Sequence, residues 1–188
     1  SGGVLSHAPR REQSAKMLID SFLPEGVTSL AVDSIFMMPQ LGVMANIENK
    51  KIAEQARVAA LEVFEKDCLI RLGTCIAPVG KLNNSEKILN VNLEFKNGDK
   101  KNIDIGFGDL IRIKVGYEKV KATLTPGKSV NVGAGFGEQI NTDIYGGQVG
   151  IIIDGRGRPL QIDQSSSKRI ADLKKWSDAV DEYPELGK

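Results

Sequence analysis

The sequence predicts an α+β protein, and three observations predict it. Apolar residues recur at helical spacing in two stretches before residue 66. Beyond Asp67 the spacing drops from about 3.6 to 2, the alternation of half-buried strands. After a polar connector starting near Gln161, one more helical pattern closes the chain. The expected units are 1–66, 67–160 and 161–188.

The first helix is expected from Pro9 to Phe22, with Ser6 or His7 as its cap and Ala15, Leu18, Ile19 and Phe22 on one face. Pro24 and Gly26 end it. Its first turn follows a Gly2-Gly3 pair and offers free amides that favour an anion, with Arg10 and Arg11 beside them. Thr28 to Val32 reads as a buried strand ending at Asp33, where an aspartate is an ordinary helix cap. Met37, Met38 and Met44 suit adaptable packing in a core or at a domain seam. Asn46 is expected to cap a long helix reaching about Lys66, with Ile52, Ala56, Ala59, Ala60, Val63 and Phe64 on its apolar side.

The second unit reads as short strands joined by tight turns. One strand lies within Cys68 to Val79. Leu89, Val91, Leu93 and Phe95 then alternate with Asn90, Asn92 and Glu94, and Asn97-Gly98 is a hairpin turn leading to Ile103, Ile105 and Phe107. Ile111, Ile113 and Val115 form another strand, followed by Val120, Ala122 and Leu124. The pattern predicts an antiparallel barrel or sandwich. Three glycine clusters, at 104–108, 133–137 and 155–159, have the spacing of turns; the last fits a hairpin turn. The closing helix, capped by Ser165 or Ser166, carries Ile170, Leu173, Trp176, Val180 and Tyr183 on one side and stops at Pro184.

Composition narrows the function. A formal charge of +1 gives no global argument for nucleic acid or an anionic membrane as partner. No apolar run approaches the ~20 residues that span a bilayer. Cys68 and Cys75 read as reduced thiols of a cytoplasmic protein, and a single histidine, His7, excludes a zinc constellation. No Ser-His-Asp or Cys-His nucleophile pattern is present.

Four stretches carry a likeness: Ser1-Gly2-Gly3-Val4-Leu5-Ser6-His7-Ala8-Pro9, the methionine-rich 34–44, Pro126-Gly127-Lys128-Ser129-Val130-Asn131-Val132-Gly133-Ala134-Gly135, and 146–159 with its Asp154-Gly155-Arg156-Gly157-Arg158-Pro159 end. Together they resemble the glutamate mutase component L family, which accompanies adenosylcobalamin-dependent mutases and aminomutases. The stretch from about Ser85 to Lys121 carries none of the likeness and is read by pattern alone.

The resemblance implies the actin, sugar kinase and heat-shock chaperone ATPase superfamily. Residues 1–66 would then be the C-terminal part of an actin-like ATPase domain. Gly2, Gly3 and Ser6 would match its adenosine motif, Asp33 to Gly42 would border the same cleft, and Arg10 would lie beside the base or a phosphate. The chain would begin inside that motif, so the phosphate- and metal-holding residues are expected in an N-terminal half of the same fold, and ATPase activity of this chain alone is not expected. The implied cofactors are ATP and magnesium in the complete protein, none of them held tightly by this chain alone. The implied partner is a cobalamin-dependent mutase or aminomutase, reactivated by a chaperone-like factor whose β-domain docks on it. Two alternatives remain open: a protein-binding module without nucleotide, and a fragment of a small-molecule kinase of the same superfamily.

Overall fold

A left-handed Leu23 (φ 46°) followed by Pro24 stops the first long helix and aims the chain into the first strand. The computed structural model describes residues 3–82 and 87–183. Helix α1 (Gly3–Ser6) precedes α2 (Arg11–Phe22), β1 (Gly26–Asp33), α3 (Met38–Ala45) and α4 (Ala53–Val63), which runs into a π-helical turn at Phe64–Cys68. There follow β2 (Leu69–Ala77), β3 (Val79–Gly80), β4 (Lys87–Glu94), β5 (Lys100–Gly106), β6 (Leu110–Ile113) and β7 (Lys119–Pro126). Then come β8 (Val130–Asn131), β9 (Ile140–Tyr145), β10 (Gly150–Asp154) and α5 (Ser166–Ala179). The class is α+β.

Two four-stranded sheets, ordered β1-β2-β10-β6 and β5-β4-β7-β9, share one core. From β4 and β7, Leu89, Val91, Leu93, Val120, Ala122 and Leu124 point into it, meeting Ile76, Ile113, Ile151 and Ile153 of the first sheet. Asn90, Asn92, Lys121 and Thr123 alternate outward, which is the period of two expressed as burial. The other face of the first sheet, with Leu72, Cys75 and Ile152, is covered by Ala15 and Ile19 of α2 and by Trp176 of α5, with Val180 just beyond that helix. The molecule is thus layered helices, sheet, sheet. Among the described residues no helix is long and apolar enough to cross a membrane.

Several expectations change. Neither sheet closes on itself, so the barrel alternative falls and the two sheets face each other as open layers. The pairing of β10 with β2 is parallel, not antiparallel, and side-chain alternation carries no information on strand direction. Residue 67 separates the sequence patterns, yet β1 and β2 on either side of it are neighbours in one sheet. Asn46 ends α3 instead of starting a helix: its side-chain amide donates to the Gly42 carbonyl at 2.8 Å and its backbone N–H to Val43 O. Asn49 restarts the chain, accepting from the amides of Ile52 and Ala53 on its carbonyl. The first long helix begins at Arg11, and Ser6 belongs to α1. Phe22, the last residue of α2, is 73% exposed although Ala15 and Ile19 on the same face are buried. In α5, Ile170 and Leu173 are exposed and Trp176 is buried. The expected stop at Pro184, like Gly2 of the glycine pair, lies outside the described residues.

Glycine is required where the parallel pair meets. Gly73 pairs with Gly150, both at positive φ (144° and 107°), and a Cβ on Gly73 would sit 1.7 Å from Gly150 O. Gly73→Ala is therefore expected to lower the unfolding free energy by at least about 2 kcal/mol, through backbone displacement at the sheet centre. Urea unfolding followed by circular dichroism checks this.

Candidate functional site

Of the residues singled out at the N-terminus, Ser6 and Asp33 meet at the C-terminal end of β1. Asp33, 1% exposed, accepts from the amides of Ile35 and Met37 on Oδ1 (3.4 and 3.2 Å) and of Met38 on Oδ2 (2.9 Å). Its carboxylate thereby satisfies amides at the start of α3, the structural capping role that its place in the sequence suggests. The Ser6 hydroxyl donates to the Asp33 backbone carbonyl, and the His7 ring lies 5.1 Å from that of Phe36, tilted by 49°. Two further bonds fasten α1 to α2: Ser14 Oγ donates to Leu5 O at 2.7 Å, and Arg11 Nη1 to Ser6 O at 2.9 Å.

Gly3 lines a cleft of about 410 Å³ together with His7, Pro9, Gln13, Met17 and Tyr183. The methionine-rich segment lines a different one, an apolar groove of about 490 Å³ between α3 and α4, with Met38, Leu41, Gly42, Val58, Leu61 and Phe64 on its walls. The two segments are in contact, but their clefts are separate. Gly3 and Gly42 share a property: a Cβ on either would meet nothing within 4 Å. Neither has a positive φ, so nothing among the described residues requires glycine there; Gly116, in a loop, is alike.

Arg10 belongs to an ion network. Its guanidinium lies 3.5 Å from Glu12, whose Oε1 also accepts from Arg112 Nη2 at 2.9 Å. Arg112 further binds Asp181 at 3.1 Å and the carbonyls of Val149 and Val180. Lys114, bonded to Asp181 at 2.9 Å, holds that carboxyl below its ordinary range, helped by Arg112 and Arg10. The network sews the start of α2 to β6 and to the residues after α5.

Comparisons with family models, with curated proteins and with solved structures find no match for the chain. The site has to be read from its own chemistry. Among the described residues no group of three His, Cys, Asp or Glu side chains is placed to hold a metal ion. Burial pushes the Cys75 thiol up to about 12, with Asp154 adding to the effect, so it stays protonated at neutral pH.

The strongest polar feature lies in the 155–159 cluster, whose spacing fits a hairpin turn. Arg156, with a side chain 0% exposed, binds Asp154 through Nε to Oδ1 and Nη2 to Oδ2, both at 2.8 Å. Asp20 of α2 lies 2.8 Å from the same Nη2 and also receives Lys16. Arg158 Nη2 donates to Asp154 at 2.9 Å and its Nε to Pro24 O at 3.0 Å. The Arg156 guanidinium packs 5.1 Å from the Trp176 ring, and Trp176 Nε1 donates to Gly108 O at 2.9 Å. No second strand of a hairpin follows the loop; its arginines turn inward.

Burial alone would raise the Asp154 carboxyl, but the hydrogen bonds and charges of Arg156 and Arg158 outweigh it and hold it below the usual range. For Arg156, burial opposes the charge while Asp154 and Asp20 secure it, and its value is raised. Both partners stay ionised.

Two outcomes follow. Asp33→Ala removes the acceptor for the amides at the start of α3 and is expected to cost about 1–2 kcal/mol in urea unfolding. Asp154 has a folded value below its unfolded value of about 4, so its stabilisation is complete above that pH and is lost as pH falls through the folded value. Asp154→Asn should therefore be about 3–5 kcal/mol less stable than wild type at pH 7, with the gap narrowing as both are titrated below about pH 4.

Proposed function

We propose that this chain is the C-terminal portion of a chaperone-like reactivating factor for a cobalamin-dependent mutase or aminomutase, working with an N-terminal half of the same actin-like ATPase fold. In this reading α1 and the end of β1 form the adenosine wall of an ATP cleft that the other half completes. The α3–α4 face packs on that half, and the sheet layers dock on the mutase. Magnesium is held by the complementary half.

The observation that carries the reading is the pair of helical glycines, Gly3 in α1 and Gly42 in α3, that no contact among the described residues requires to be glycine. Gly3 opens beside the α1–β1 junction and Gly42 opens into the apolar groove, each leaving space where a Cβ would touch none of the described residues. A glycine inside a helix costs about 1 kcal/mol relative to alanine. A partner or ligand that must approach closely gives Gly42 a use that offsets this cost. The groove is also lined by exposed Met38, Val58 and Leu61, an apolar surface of the kind that another chain covers. ATP could drive release of damaged cofactor only by binding one arrangement of the two halves better than another.

A second reading, a protein-binding module that uses no nucleotide, is favoured by a specific observation. The Ser6 hydroxyl is engaged by the Asp33 carbonyl and the Asp33 carboxylate by α3 amides, and the two clefts are separate.

The test compares Gly3→Ala and Gly42→Ala with wild type, alone and mixed with the N-terminal half and the mutase. Alone, Gly42→Ala should be as stable as wild type or up to about 1 kcal/mol more stable. In the mixture, ATP at a hundred times its Kd should stabilise the wild type by about 2.7 kcal/mol. Gly3→Ala should weaken that stabilisation, and Gly42→Ala should weaken co-purification of the two halves. Co-purification with the mutase without any ATP effect leaves the second reading; neither effect refutes both.

A further inference from the structure

A third cleft, of about 520 Å³, opens between α5, the 161–164 connector and the turn after β5, with Arg156, Trp176, Phe107, Gly108, Lys168 and Lys175 among its lining. Arg156 gives this cleft its chemistry. Its Nε–Nη2 edge is taken by Asp154 and Asp20, its central carbon lies over the Trp176 ring at 5.1 Å, and its remaining nitrogen, Nη1, is buried with no acceptor among the described residues. A buried guanidinium nitrogen with no partner is uncommon and asks for an ion or ligand to satisfy it.

Charge points the same way. Among the described residues Lys16, Arg156 and Arg158 are bound to two carboxylates, the half-buried Asp20 and the buried Asp154, which leaves one positive charge over in the cluster. At the rim, Lys168 and Lys175 are held by Asp163 and Asp109 in exposed pairs that water screens, so either ammonium can turn to another anion at little cost. Asp163 and Asp172 line the same cleft and disfavour a ligand of high negative charge.

We propose that this cleft binds a small molecule through a single oxyanion group, a carboxylate or a phosphate ester. One anionic oxygen accepts from Arg156 Nη1, with Lys168 and Lys175 at the mouth. Arg156, pre-positioned by Asp154 and Trp176, is the specificity-determining donor, since its planar fork loses little freedom on binding. The site is independent of the N-terminal cleft and of any nucleotide bound there.

The experiment is a titration of the whole chain, labelled with nitrogen-15, with sodium phosphate in one arm and sodium acetate in the other. Ionic strength is held constant with sodium chloride. The expected result is saturable movement of the Arg156 guanidinium, Trp176 indole N–H and Gly108 amide signals, with a Kd of ~1 mM in the better arm. A tighter phosphate arm assigns a phosphate ester, a tighter acetate arm a carboxylate. Lys168→Glu, at an exposed position, should weaken binding about tenfold, the loss of one charge-assisted contact. Lys119→Glu, at an exposed pair on β7, should leave binding unchanged. Signals that do not saturate in either arm, or that move identically in Lys168→Glu, would overturn the proposal.

Discussion

The buried pair of Arg156 and Asp154 sets the terms for the rest of the molecule. It sits where β10 ends, on a strand whose five residues are all buried, and joins pieces far apart in sequence. Asp20 brings in α2, Trp176 brings in α5, and Arg158 reaches back to the Pro24 carbonyl. Such a pair is costly to desolvate and adds little net stability compared with an apolar replacement. Its value lies in geometry: a guanidinium accepts its partners only in fixed directions, so α2 and α5 have one way to lie on the sheet.

That constraint stops short of α3 and α4. These helices pack on each other, and their small core of Leu41, Ala60 and Cys68 is separate from the two large ones. They are tied to the sheets at their ends, through Asp33 at one side and the bonds from Ser34 to the Cys68 carbonyl at the other. The molecule therefore has a firmly cross-linked block of two sheets and two helices, and a helical pair with its apolar groove open. This difference in connectivity is what the proposed division of labour draws on.

The parts legible in the sequence are those set by local chemistry. Alternation in 89–95 and 120–124 gave the inward faces of β4 and β7, and Asn97-Gly98 marked the turn between β4 and β5. Asp33 was readable as a cap because a carboxylate at a strand-to-helix junction has amides to receive. The resemblance implied one cleft shared by the glycine turn and the segment after Asp33; the two segments touch at His7 and Phe36 but line separate clefts, since no local pattern fixes how residues that far apart are placed. What stayed hidden depends on distant partners. Arg156 and Arg158 stand among glycines as they would in any exposed turn, and only Asp20, more than a hundred residues away, and Asp154 draw them inside. Asn46 resembles a helix start until its side chain is seen returning to the Gly42 carbonyl. The bulge at Leu72, opposite the Leu30/Ala31 step, puts Leu72 and Cys75 on the same face and breaks the parity that a strand pattern assumes.

Native-state hydrogen exchange on the isolated chain tests the central claim most directly, because it resolves opening free energies element by element. The account predicts that amides of α3 and α4, read at Leu41 and Ala60, exchange through an opening well below the free energy of global unfolding. Amides at Cys75 and Ile152 in the sheet, with Ile19 and Trp176 on its covering helices, should exchange only with global unfolding. A single opening free energy shared by all of them would contradict it, since the α3–α4 pair would then be part of the same cooperative block.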